Sequence, residues 1–262
     1  MSIQQSQTYW ISGASSGIGR ALSIQLAAQG HRLLVSSRDR SALEDLAGQY
    51  PGLIEVLPCD VADRNKMMAL FSTNLPQLQT LDGIFLCAGI CEYIDLPAFN
   101  LDAFERAAAV NYLGVVNACA AAYPLLEKAV AKAGSTKPFI VGLASMSSYI
   151  GFPRAEAYGA SKAAMAYFLD SLRADIGQRI DVITVYLGFV RTPMTAANDF
   201  PMPFIVSDQE AAAAILNKRP GRPLKIVYPW RLHFSLHLLR KMQWLWYGKI
   251  IPRLRRERGT SI

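Results

Sequence analysis

Short apolar runs alternate with longer helical stretches along the whole of this chain, and no other feature constrains its fold as much. The runs fall at 8–12, 32–37, 54–58, 83–87, 138–144, 181–187 and 225–228. The helical stretches lie at 16–29, 41–49, 63–74, 101–133, 155–176 and 208–218. Most runs are continuously apolar, so both faces of each strand are expected to be buried. Strand–helix alternation of this kind predicts a doubly wound parallel sheet of about seven strands, with helices on both faces and right-handed crossovers. Ser41-x-x-Glu44 has the spacing of a capping box, and Asp63 stands where a helix cap is expected.

Composition agrees with one domain: a core over 8–228 and a helical extension over 229–262. With 262 residues, 52% of them apolar and 18% charged, the chain is too apolar for a disordered polyelectrolyte. Four cysteines are too few for a disulfide-built scaffold, and their apolar contexts suit reduced thiols and a cytoplasmic protein. The polar stretch 1–7 is not a signal peptide, and no run reaches about 18 uninterrupted apolar residues. Cys87 and Cys91, and His233 and His237, have loose ligand spacing without a further ligand, so no metal site is expected. The net charge of +7 is unevenly spread. Residues 1–217 hold 15 basic and 19 acidic side chains, whereas residues 218–262 hold 12 basic and one acidic. An acidic body with a basic tail argues against nucleic acid as a partner.

The first strand runs into Gly13-Ala14-Ser15-Ser16-Gly17-Ile18-Gly19 and then a helix. Glycines in that place permit a tight turn and close backbone approach to a pyrophosphate, whose charge meets the helix N-terminus. Gly13, Ser15, Ser16, Gly17, Ile18 and Gly19 are therefore candidate dinucleotide-binding residues. The second strand ends in Ser37-Arg38-Asp39. An acid there would bind a ribose diol, whereas a guanidinium suits a 2′-phosphate, so Ser37 and Arg38 favour NADP over NAD. Asp39 complicates that choice, although its position before the second helix is equally that of a cap. Asp60, after the third strand, is placed to accept from an adenine amino group or to cap a loop.

Tyr158 and Lys162 are four apart on an expected helix and share a face. An adjacent ammonium is expected to lower the phenol pKa towards the working range of a proton donor. Ser145 ends the fifth strand at the ligand-binding edge of such a sheet.

In this order the motifs resemble those of the short-chain dehydrogenase/reductase family, in its branch of about 250 residues. Ser12–Gly19 resembles T-G-x-x-x-G-x-G, and Asp60-Val61 the adenine-binding pair. Asn111, Ser145, Tyr158 and Lys162 match the catalytic set. Residues 187–192, with Gly188, Val190 and Thr192, resemble P-G-x-V-x-T, which holds the nicotinamide. Ala88 and Gly89 keep the end of N-N-A-G, with Leu86 and Cys87 in place of its asparagines. Leu187 replaces proline, and Ser12 replaces threonine. The resemblance implies a Rossmann-type fold and an NAD(P)-dependent oxidoreductase acting on a small carbonyl or alcohol. It also implies a homo-oligomer, dimeric or tetrameric. Tyr158 would be the general acid, Ser145 would polarise the carbonyl, Lys162 would bind the ribose, and Asn111 would orient a relay water. The competing readings are a non-catalytic NADP sensor and a lipid-surface binding protein on the same fold.

A lid is expected over 193–206, with Met194, Phe200, Met202 and Phe204. Together with Met146, Tyr149, Ile150 and Phe152 it would line an apolar pocket, or simply pack as a lid does. Beyond the last strand, Leu232, Leu236, Leu239, Met242 and Trp246 share one helical face. Tryptophan and tyrosine mixed with basic residues over 229–262 suit peripheral membrane contact; the other reading is packing on the body or on a subunit.

Overall fold

The computed structural model describes residues 6–96, 99–132, 137–196 and 198–254. Its strands are β1 (Thr8–Ser12), β2 (Arg32–Ser36), β3 (Ile54–Val56), β4 (Gly83–Leu86), β5 (Phe139–Ser145), β6 (Asp181–Leu187), β7 (Val190–Arg191), β8 (Val206–Ser207) and β9 (Lys225–Tyr228). Seven of them form one parallel sheet in the order β3-β2-β1-β4-β5-β6-β9, while β7 and β8 pair apart. The order reverses direction between β1 and β4, so their C-terminal ends flank a crevice. Register sets the edge of that crevice: Ser12 lies opposite Ser36 and Leu86, and Ser145 opposite Leu187.

The helices are α1 (Gly17–Ala28), α2 (Arg40–Gly48), α3 (Arg64–Asn74), α4 (Leu101–Ala108), α5 (Gly114–Lys132), α6 (Glu156–Ile176), α7 (Pro193–Ala196), α8 (Asp208–Lys218), α9 (Trp230–Lys241), α10 (Gln243–Leu245) and α11 (Ile251–Leu254). Helices α1, α2 and α8 cover one sheet face, packing on Tyr9, Ile11, Leu33, Val35 and Phe85. Helices α3, α5 and α6 cover the other, over Trp10, Leu34, Ile84 and Ile140, and the tail joins this side.

Three local expectations are corrected. Ser41 does not cap α2. Asp39 does, accepting from the Ala42 amide at 3.0 Å, and Glu44 pairs with Arg40 instead. Asp39 wins because its short carboxylate precedes the first turn, where the orphan amides point. A reciprocal capping box does form, at Ser207 and Glu210. The stretch 101–133 is not one regular helix, because a π turn at Ala109–Leu113 separates α4 from α5. Leu101–Lys132 is long and apolar enough to cross a membrane by length and composition, but half of its most apolar window is buried. The tail is not one continuous helix either. It breaks at Met242 (φ −106°, ψ 55°) and resumes through a second π turn at Trp246–Ile250; residues after 254 lie outside the described residues.

Candidate active site

Gly13 leaves β1 at φ +71°, its amide donating to the Ser36 carbonyl at 2.7 Å. A Cβ there would sit 2.6 Å from the Ala88 amide nitrogen, so only glycine lets the turn meet the end of β4. A Cβ on Gly19 would lie 2.2 Å from the Gly13 carbonyl oxygen, which fixes how closely α1 tucks under the turn. Ser16 precedes α1 without making a side-chain cap, leaving the first-turn amides to face a ligand. This cradle opens into a cleft of about 400 Å³.

The cleft brings together nearly all of the expected site residues. Gly13, Ser15, Ser16, Gly17, Ile18 and Gly19 form one end, with Ser37, Arg38, Asp60 and Val61 beside them. Ala88, Gly89, Gly188, Val190 and Thr192 line the middle, and Ser145, Tyr158 and Lys162 the far end. Arg38 is exposed at the mouth and pairs with no carboxylate among the described residues. One Asp60 oxygen accepts from the Ala62 amide at 3.0 Å.

Asn111 is the exception. It is fully buried in the π turn, behind the cleft. Its Nδ2 donates to the Ile90 carbonyl and to Ser161 Oγ, both at 2.9 Å, and its Oδ1 accepts from the Ile90 amide at 2.8 Å. Both side-chain donors are thus spent on holding the strand-end loop and α6 together.

Tyr158 and Lys162 share a face near the start of α6. The Tyr158 side chain lies beside Ser145, whose Oγ accepts from the Ser147 amide (3.1 Å) and the Ser147 hydroxyl (3.0 Å). Lys162 Nζ donates to the Leu143 carbonyl at 2.8 Å and lies 6.0 Å from the Tyr158 ring centre. Burial pushes the phenol pKa up, and the neighbouring Ser145 hydroxyl only partly opposes it. Burial pulls Lys162 down to about 8. The expected lowering of the phenol by Lys162 is therefore absent: both groups lose solvation, and the ammonium is turned towards Leu143.

Several lining residues were missed by sequence reasoning. Cys59, Cys87, Ile90, Val110, Leu143 and Thr195 border the cleft, as does Asp39. The Thr195 hydroxyl donates to the Val190 carbonyl at 2.6 Å and accepts from the Thr192 amide at 3.0 Å, closing the loop after β7. A threonine three residues beyond Thr192 was the available signal. Tyr93 had none. Its hydroxyl donates to Asn198 Oδ1 at 2.5 Å and its ring meets Phe200, joining two loops far apart in sequence. Met146, Tyr149, Ile150 and Phe152 belong chiefly to the seat of the tail, with Leu232, Leu236 and Trp246, so the expected apolar lining is not formed by them.

A sequence model described as short chain dehydrogenase matches residues 7–200. The chain belongs to the short chain dehydrogenase family. It is 28% identical over 230 residues to an uncharacterized oxidoreductase of Myxococcus xanthus, covering 86% of this chain and 88% of that one. It is 30% identical over 223 residues to a fatty acyl-CoA reductase of Acinetobacter baylyi, covering 82% and 74%. Among solved structures, a short chain dehydrogenase/reductase of Burkholderia phymatum in complex with NAD superposes with a TM-score of 0.79. That match has 19% identity and covers 93% of this chain and 97% of the other. The seven-stranded sheet is thus that of a short chain dehydrogenase, and the protein is an oxidoreductase of this family.

Proposed function

We propose that this short chain dehydrogenase uses NADP in preference to NAD to interconvert an apolar carbonyl compound and its alcohol, with Tyr158 as the proton donor and acceptor. The observation that carries the reading is the half-buried Tyr158 side chain, set beside Ser145 and Lys162 in one cleft with a glycine cradle that no Cβ-bearing residue could form at Gly13. Gly13–Gly19 and the start of α1 fit a pyrophosphate, and Asp60 has an oxygen left for an adenine amino group. Gly188, Val190 and Thr192 would hold the nicotinamide, which when bound supplies or accepts a hydride.

The residues of the chain handle the proton. Ser145, held by Ser147, presents its hydroxyl to the substrate oxygen. Tyr158 keeps its proton at neutral pH because burial raises its pKa. It can therefore act as the acid towards the alkoxide that develops on reduction, and its conjugate base takes the proton back in the reverse direction. Asn111, with its donors already committed, acts as a positioning residue for the 87–90 loop. Replacing Tyr158 with Phe should lower kcat for carbonyl reduction by about 10²-fold or more, with NADPH binding unchanged; a variant as active as the parent would refute the assignment. Aldehydes, ketones and steroids of graded chain length form the substrate panel. An apolar substrate is supported by Ile90, Val110, Leu187 and Met194 around the cleft, and by the name of the Acinetobacter relative.

The cofactor choice rests on Arg38 and Asp39 together. The carboxylate that could bind a ribose diol caps α2, while the guanidinium next to it pairs with no described carboxylate. Arg38→Asp should weaken NADP binding about tenfold or more, the effect of losing one charge-assisted contact, and NAD binding far less. Equal changes would overturn the preference. A homo-oligomer is supported by the exposure of Leu113 and Tyr167 on adjoining helical elements; light scattering giving a monomeric mass would exclude it.

A further inference from the structure

Helix α9 is apolar on two sides. At about 100° per residue, Leu232 and Leu236 fall on one side, and Trp230, Phe234 and Leu238 fall on the side nearly opposite. The first pair is buried in the core, on the side of α9 that meets the body. The other three stand in water, with Trp230 65% and Phe234 66% exposed. One stripe suffices to seat a helix on its body; the second is left without a protein partner among the described residues. Trp244 and Tyr247 extend the exposed apolar surface beyond the break at Met242.

Charge states which partner fits. Residues 230–254 contain five Lys or Arg and no Asp or Glu. All five basic side chains are exposed, and none pairs with a carboxylate among the described residues. Lys241, three turns on from Trp230, lies over the same stripe. Indole and phenol rings set among Lys and Arg match the boundary between lipid headgroups and acyl chains. Two copies of this surface would bring like charges face to face, which disfavours self-association through it.

We propose that α9 and the turns after it dock the enzyme on an anionic bilayer surface, with Trp230, Phe234 and Leu238 inserted at headgroup level. The opposite side of the same helix abuts the cleft: a Cβ on Gly188 would come within 2.6 Å of Leu232 Cδ2. Docking would therefore hold the lipid surface one helix away from Gly188, a residue of the cleft.

The test is flotation of the full chain with vesicles of phosphatidylcholine, with and without phosphatidylglycerol. The chain should float with the anionic vesicles at low salt and should be released from them at high salt. Replacing Trp230, Phe234 and Leu238 together with Ser should reduce binding about tenfold or more, with the melting temperature unchanged because none of the three is in the core. Lys241→Gln with Lys249→Gln should also weaken binding, by about fivefold for each charge removed. A full chain that stays with the load, or a triple variant that floats like the parent, would overturn the proposal. So would a parent that self-associates without floating, and that the triple variant turns into a monomer; the face would then be a contact between copies. Flotation requires neither cofactor nor turnover, so this proposal and the catalytic reading fail separately.

Discussion

Lys162 is only 5% exposed, and its ammonium has the Leu143 carbonyl and no carboxylate for a partner among the described residues. Burial draws its pKa from 10.5 to about 8. Between those values the unfolded chain binds more protons than the folded one, so this group adds stability as pH rises through that window. Below pH 8 the charged lysine costs the fold on the order of 3 kcal/mol. Lys162→Met should therefore unfold at a higher denaturant midpoint than the parent at pH 7 while losing turnover. The gap should close towards pH 10. A midpoint at pH 7 equal to or below that of the parent would contradict this account. The nearby Cys87 thiol, pushed up to about 12 by burial, titrates in both proteins and largely cancels from the difference. A site that keeps a destabilising charge is a common trade of stability for activity.

At the scale of elements, the tail shows how one helix face can be assigned and its destination remain open. The periodicity of Leu232, Leu236 and Leu239 marks an apolar stripe, but a stripe reads alike whether it meets lipid, a subunit or the body. Trp246 decides for the body. It is 3% exposed, packs edge-on against Phe152 at 5.1 Å, and donates from Nε1 to the Gly151 carbonyl at 2.9 Å. Trp246→Ala should cost about 3–5 kcal/mol and lower the melting temperature by several degrees, as for other buried tryptophans. Trp230→Ala, on the exposed side, should leave it unchanged; a small loss for Trp246 would mean that the tail is only loosely seated. Elsewhere legibility followed locality. The strands and the glycine turn were readable because continuous apolar runs and a strand–glycine–helix order are local signals. The π turn at Asn111 was not, because the partners of its side chain, Ile90 and Ser161, lie across the fold. Tyr93 escaped for the same reason, its partner lying 105 residues away. The pKa of Tyr158 was misjudged because sequence spacing brings Lys162 near but does not reveal the desolvation that both groups suffer.

Across the whole molecule, two opposed charges share one chain. A body with four more acids than bases over 1–217 carries a tail with eleven more bases than acids over 218–262. The sheet separates their duties, since the cleft is built from residues between Gly13 and Thr195, before the basic segment begins. The order of assembly adds a last consequence. A polypeptide leaves the ribosome N-terminus first, and its elements gather in that sequence. Ile150 and Phe152 emerge long before the segment that covers them, and β9, an outer strand of the sheet, is among the last elements to arrive. Until then the half-made protein shows bare apolar surface next to an open sheet edge, where nascent chains are most prone to stick to one another. The interval before α9 is released is therefore the stage of synthesis at which this chain most needs shielding.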